Sequence, residues 1–95
     1  MSEWEYAVVS CVSAATTTIN DVPTVVKGYY INTALSAHQA SFVDGTTTVF
    51  KTKASMGVAD AADVDGTRFE TNCLVVCGAS MTGNFTVLYR DLERS

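Results

Sequence analysis

The chain has 95 residues, 47% of them hydrophobic and 17% charged, with a formal net charge of −4. That length suits a single domain over residues 1–95, and the hydrophobic share excludes a disordered chain, which needs low hydrophobicity and high charge. Lys27, Lys51, Lys53, Arg68, Arg90 and Arg94 are scattered, so no basic run exists to hold phosphates and nucleic acid is not an expected partner.

The opening Met1-Ser-Glu-Trp-Glu-Tyr6 is acidic where a signal peptide needs a basic region, and no apolar stretch approaches the ~18 residues of a membrane-spanning helix. Synthesis in the cytoplasm and no membrane partner are the expectations. β-Branched and aromatic residues dominate, and no segment keeps a long 3.6-residue period, so strands are predicted throughout. The first runs from about Trp4 to Val12, with Trp4, Tyr6, Val8 and Val12 on one face and Ala7, Val9 and Cys11 on the other; apolar on both faces, it reads as a buried strand. Ser13 to Asn20 is small and Thr-rich, either a strand continuation or a surface loop.

Asn20-Asp21-Val22-Pro23 signals a turn. A second strand is predicted from Thr24 to Ala34, with Gly28 marking a bulge or a close backbone approach. Asp44-Gly45 between two strand-like runs is a hairpin mark; a two-residue loop there would set Phe42 opposite Thr47 and Ala40 opposite Val49. Ala54 to Val64 is the least strand-like stretch, with room for one short helical turn. A long strand is predicted from Thr67 to Cys77, with Phe69, Thr71, Cys73, Val75 and Cys77 sharing its inner face. In the last strand Phe85, Val87 and Tyr89 alternate with Asn84, Thr86 and Leu88. Residues 1–6 read as an N-terminal arm and 91–95 as a polar tail. About six short strands with regular turns predict an all-β, small antiparallel sandwich or barrel.

The sequence supplies no convincing catalytic or metal centre. His38 could be matched with Ser36 or Ser41 and Asp44, but no G-x-S-x-G elbow supports a triad. Asp60, Asp63 and Asp65 before Gly66 resemble a calcium loop, yet Ala61 and Asn72 stand where an EF-hand needs oxygen ligands and a bidentate Glu. Asn84-Phe85-Thr86 fits a glycosylation acceptor without a secretory context. Cys73 and Cys77, four residues apart on one strand, have Cα atoms about 13 Å apart, too far for a disulfide. Three free, buried thiols are expected, with Cys11 paired to one of the others as the minor alternative, and neither metal nor cofactor is expected. Trp4 either caps the domain's own core or lies in an intersubunit contact. Tyr29 and Tyr30 point to opposite faces, so one packs inside and the other is exposed. Trp4, Tyr6, Tyr29 and Tyr30 are the candidate interface residues.

Four segments occur in a familiar order: Lys27-Gly-Tyr-Tyr-Ile-Asn-Thr-Ala-Leu-Ser-Ala-His38, Asp44-Gly-Thr-Thr-Thr-Val-Phe50, Gly66-Thr-Arg-Phe-Glu-Thr-Asn-Cys-Leu-Val-Val76 and Thr82-Gly-Asn-Phe-Thr-Val-Leu-Tyr-Arg90. Over roughly residues 22–90 the chain resembles small β-rich virion proteins of tailed bacteriophages, cyanophages among them, some of which are head decoration or cement proteins. The resemblance implies a non-enzymatic structural subunit, made in the host bacterial cytoplasm and located in the virion. It further implies binding to the major capsid protein or another virion protein, and self-association, commonly as a trimer. A tail, neck or fibre component is the alternative within that class. A small carbohydrate-binding module is the alternative outside it, since β-sandwiches often hold sugars on exposed aromatics.

Overall fold

A computed structural model of the chain describes residues 4–92. Its strands are β1 (Glu5–Ser10), β2 (Thr16–Asn20), β3 (Thr24–Thr33), β4 (Ser41–Asp44), β5 (Thr47–Lys51), β6 (Ala61–Phe69), β7 (Cys73–Val76) and β8 (Asn84–Asp91). They form two four-stranded antiparallel sheets, a first ordered β1-β8-β3-β6 and a second ordered β2-β7-β4-β5. The fold is all-β, with no helix among the described residues.

The two sheets share one core. Phe42 on β4 of the second sheet stacks on Tyr29 of β3 at 5.6 Å and tilts against Phe85 of β8 at 6.1 Å, both in the first sheet. Phe50 of β5 lies 4.5 Å from Phe42 and meets Phe69 of β6 edge-on at 6.1 Å. Val9, Val26, Ile31 and Val87 from the first sheet and Ile19, Cys73 and Val75 from the second close around these rings. Alternation along each strand follows from this arrangement, because successive side chains leave a strand on opposite faces and only one face of each sheet meets its mate.

Eight strands replace the expected six, for two reasons. The Thr-rich segment after β1 becomes β2 and pairs with β7 in the second sheet. The long strand predicted from Thr67 to Cys77 is two strands in different sheets, separated by a turn at Glu70–Asn72. Phe69, Cys73, Val75 and Cys77 are buried because both sheets face the same core, but Thr71, expected on the inner face with them, is exposed in the break. Asp44 holds that turn. Its Oδ2 accepts the Glu70 N–H and its Oδ1 accepts the Thr71 N–H, each at 2.8 Å, while the Gly45 N–H donates to Asn72 Oδ1 at 2.8 Å.

The hairpin is present but shifted by one residue. Its loop is Gly45-Thr46, because Asp44 still pairs with Thr47, and Phe42 faces Phe50 across a bulge at Val49. Gly45 has φ of 63° and Thr46 is not left-handed, the pattern of a turn with glycine first. Asp44 is thereby freed from the turn centre to cap a neighbouring one. The stretch 54–64 contains no helical turn; its second half opens β6. The predicted N-terminal arm is corrected at its end, since Glu5 and Tyr6 belong to β1. Asp91 likewise ends β8 rather than starting a tail, and residues 1–3 and 93–95 lie outside the described residues.

Candidate interaction face on the first sheet

The outer face of the first sheet can be read row by row from its register. One row runs Tyr6, Leu88, Gly28, Asp63, and the next runs Val8, Thr86, Tyr30, Ala61. Tyr6 is 71% exposed, Val8 52% and Tyr30 46%. β1 was expected to be buried on both faces; it is instead an edge strand whose Ala7 and Val9 face turns inward and whose Tyr6 and Val8 face meets solvent. At the same end of the sheet the Trp4 ring lies beneath two cations, with the Arg90 guanidinium carbon 5.2 Å and Lys27 Nζ 5.7 Å from its centre. Trp4 therefore does not cap the core: it lies on the outer surface, 40% exposed, in cation–π contact.

Gly28 shapes the centre of this face. Against β8, Lys27 is an extra residue between Val26↔Tyr89 and Gly28↔Leu88, a bulge on β3; against β6 the excess lies on β6 itself, between Asp63 and Thr67. A Cβ on Gly28 would collide with the carbonyl oxygen of Ala62. Beside this close approach lies an open depression of about 300 Å³ lined by Gly28, Leu88, Tyr30, Ala61, Lys27 and Asp63. Its volume lies at the lower limit of small-molecule sites.

Of the four predicted interface residues, Trp4, Tyr6 and Tyr30 share this face. Tyr29 does not. It is 5% exposed and stacked in the core, and burial raises its hydroxyl pKa. Sequence reasoning missed Leu88 and Gly28 as parts of the face. The Gly28 signal was legible as a close approach, but its neighbour on β8 was not.

The other chemical candidates resolve into local structure. Ser36 Oγ lies 3.1 Å from His38 Nδ1 on an exposed loop and also accepts the Thr82 N–H. Asp44 does not complete a triad there, because both its oxygens accept from the Glu70–Thr71 turn. Asp60 Oδ2 accepts the Gly57 N–H at 2.8 Å and Asp63 Oδ1 accepts the Asp65 N–H at 2.7 Å, so these carboxylates are used in shaping turns. Among the described residues no three His, Cys, Asp or Glu side chains converge on a point that could hold a metal. All three cysteines are free and buried. Burial, and next the neighbouring Cys77 thiol, pushes Cys11 up to about 12; burial, and next the charge of Asp44, pushes Cys73 up to about 12. Such thiols stay protonated and are poor nucleophiles.

No family model, no curated protein and no solved structure matches this chain.

Proposed function

We propose that the chain is a non-enzymatic structural protein of a bacteriophage virion, a decoration or cement subunit that stabilises the head by docking through the outer face of its first sheet. One observation carries the docking part: Trp4, Tyr6, Val8 and Tyr30 are exposed together on the face opposite the core. Antiparallel sheets normally turn a polar face to water, and apolar residues grouped this way mark interaction sites. The second sheet differs. Its outward Leu74, Val76 and Val43 sit on central strands, half-buried between Thr16, Thr18 and Ser41.

The aromatic groups suit a protein partner, where Tyr and Trp anchors carry most of the binding energy. The face also carries charges, Lys27 and Arg90 over the Trp4 ring and Asp63 beside the depression, which a partner would have to match. The virion assignment rests on the resemblance in motif order. Placing Asp at both Tyr6 and Tyr30 should leave the core intact and abolish attachment to purified heads. Undiminished attachment would remove this face from the account.

A sugar-binding module is favoured by one feature, the depression beside Tyr30, where an aromatic wall meets Asp63 and Lys27. Binding on a glycan array that is lost in Tyr30→Ala, with no attachment to heads, would establish that reading instead. Localisation by imaging of labelled particles separates head decoration from a tail, neck or fibre position.

A further inference from the structure

The four sheet edges are β1 and β6 in the first sheet and β2 and β5 in the second. An edge with free N–H and C=O groups invites another strand, and proteins guard such edges with bulges, charges or proline. Three of these are guarded. The β6 pairing breaks between Val26 and Gly28, with Asp63, Asp65 and Arg68 on the strand. β2 shifts register between Thr18 and Asn20, and β5 is bulged at Val49 and ends in Lys51. β1 has neither bulge nor proline, and its one charge is Glu5 at its start; it pairs with β8 without interruption from Glu5↔Tyr89 to Ser10↔Asn84.

The direction of the free groups on β1 can be derived. The Cys11 N–H donates to Gly83 O at 2.8 Å, and that pair continues the register of β1 on β8. In an antiparallel ladder, opposed residues alternate between pairs that exchange both backbone bonds and pairs that exchange none. Ala7 and Val9, in phase with Cys11, therefore bond to β8. Tyr6, Val8 and Ser10 point their N–H and C=O groups at the open edge. The residues with free backbone groups are thus also those with side chains on the exposed outer face.

We propose that β1 is a self-pairing edge: two copies of this chain join antiparallel through β1 about a two-fold axis at Ala7, fusing their first sheets into one continuous sheet. Centring on Ala7 uses the full strand. Tyr6 exchanges both backbone bonds with Val8 of the second copy, and Trp4 comes opposite Ser10. On the outer face Tyr6 then packs on Val8 of the other chain, an aromatic–β-branched pair of the kind that stabilises adjacent strands. Ala7 meets its own symmetry mate in the closer, non-bonded type of pair, with Cα atoms about 4.5 Å apart, which a methyl side chain fits. Glu5 falls opposite Val9, the least favourable pairing of this register. A two-fold contact between identical edges closes on itself, so the unit is a dimer in place of the trimer that the resemblance implies. The pairing holds whatever larger assembly the chain joins, and its test needs no virion.

Sedimentation equilibrium and residue-resolved amide exchange on the purified protein decide the matter. The mass should be that of two chains, with Tyr6, Val8 and Ser10 amides slow at high concentration and fast on dilution. Ala7 and Val9 amides should stay slow in both, since they bond within the chain. Val8→Pro removes an edge donor that β8 does not use, and Tyr6→Lys places a guarding charge on the same edge; each should halve the mass while the fold persists. A monomer or trimer at high micromolar concentration would overturn the proposal. So would a dimer whose Tyr6, Val8 and Ser10 amides exchange freely, or one that survives in a folded Tyr6→Lys variant.

Discussion

Asp44 Oδ1 accepts the Thr71 N–H at 2.8 Å and so ties the β4–β5 hairpin to the turn that carries the chain from the first sheet into the second. With the companion bond from Glu70, this carboxylate satisfies two backbone donors that would otherwise face only water. The Glu70 and Thr71 amides hold its carboxyl below the ordinary value of 3.8. Its folded-state pKa is depressed, so its contribution to stability is present above that value and is lost as pH falls through the depressed one. Asp44→Ala should lower stability by about 1 kcal/mol near neutral pH, the usual net worth of such bonds at a solvated site. The difference from wild type in urea midpoint should shrink below pH 3.8. A difference that persists undiminished at acid pH would show that the charge is not what matters.

The two informative glycines should fail for different reasons. At Gly28 a methyl group meets the Ala62 carbonyl oxygen, so Gly28→Ala must push β3 and β6 apart and cost about 1–3 kcal/mol, as overpacking does. At Gly45 the nearest atoms to an added Cβ are 3.7 Å away on Thr71, so space is ample, but φ is 63°. Gly45→Val should therefore cost on the order of 1–2 kcal/mol through backbone strain alone. Denaturation midpoints for the two variants check both values. In the first, amide exchange should also quicken along β6; in the second it should not.

Phe42 holds the sheets together through rings on both sides of the core. Phe42→Ala should cost about 3–5 kcal/mol, the range for deleting a buried phenylalanine. Against a whole stability of roughly 5–15 kcal/mol, that loss should bring the urea midpoint down steeply and lower the melting temperature by well over ten degrees in circular dichroism.

The thiols make stability sensitive to alkali. Cys11 and Cys73 are raised from 9.0 to about 12 in the fold, so the stability that their neutral forms contribute is full below pH 9.0 and drains away as pH rises toward 12. Urea midpoints should fall across that window, and Cys73→Ala should flatten the decline. The native protein should resist a thiol reagent that reads three thiols per chain once it is unfolded; a single reactive thiol after unfolding would instead mean that two are bridged.

The architecture was largely legible because inward alternation is a local property. Phe85, Val87 and Tyr89 declare their strand in the sequence, as do Val26, Tyr29 and Ile31 around the bulge at Lys27. Which strands lie at the sheet edges was not legible. Val25–Ile31 and Phe85–Tyr89 look unguarded in the sequence, yet β3 and β8 are central and paired on both sides. Their freedom from edge guards follows from having no free edge. β1 looked like a buried strand because Tyr6 and Val8 are apolar, and only long-range pairing shows that they face outward. The break at Glu70–Asn72 was hidden for a related reason: both sheets face one core, so Phe69 before it and Cys73 and Val75 after it stay inward on an even spacing, and only the exposed Thr71 departs from it.

Quantitative mass spectrometry of purified bacteriophage particles tests the proposed virion role most directly. The account predicts the chain at high copy number, in a fixed ratio to the major capsid protein. Particles carrying Asp at Tyr6 and Tyr30 should lack it and lose their heads' resistance to heat. Absence of the wild-type chain from intact particles would contradict the claim.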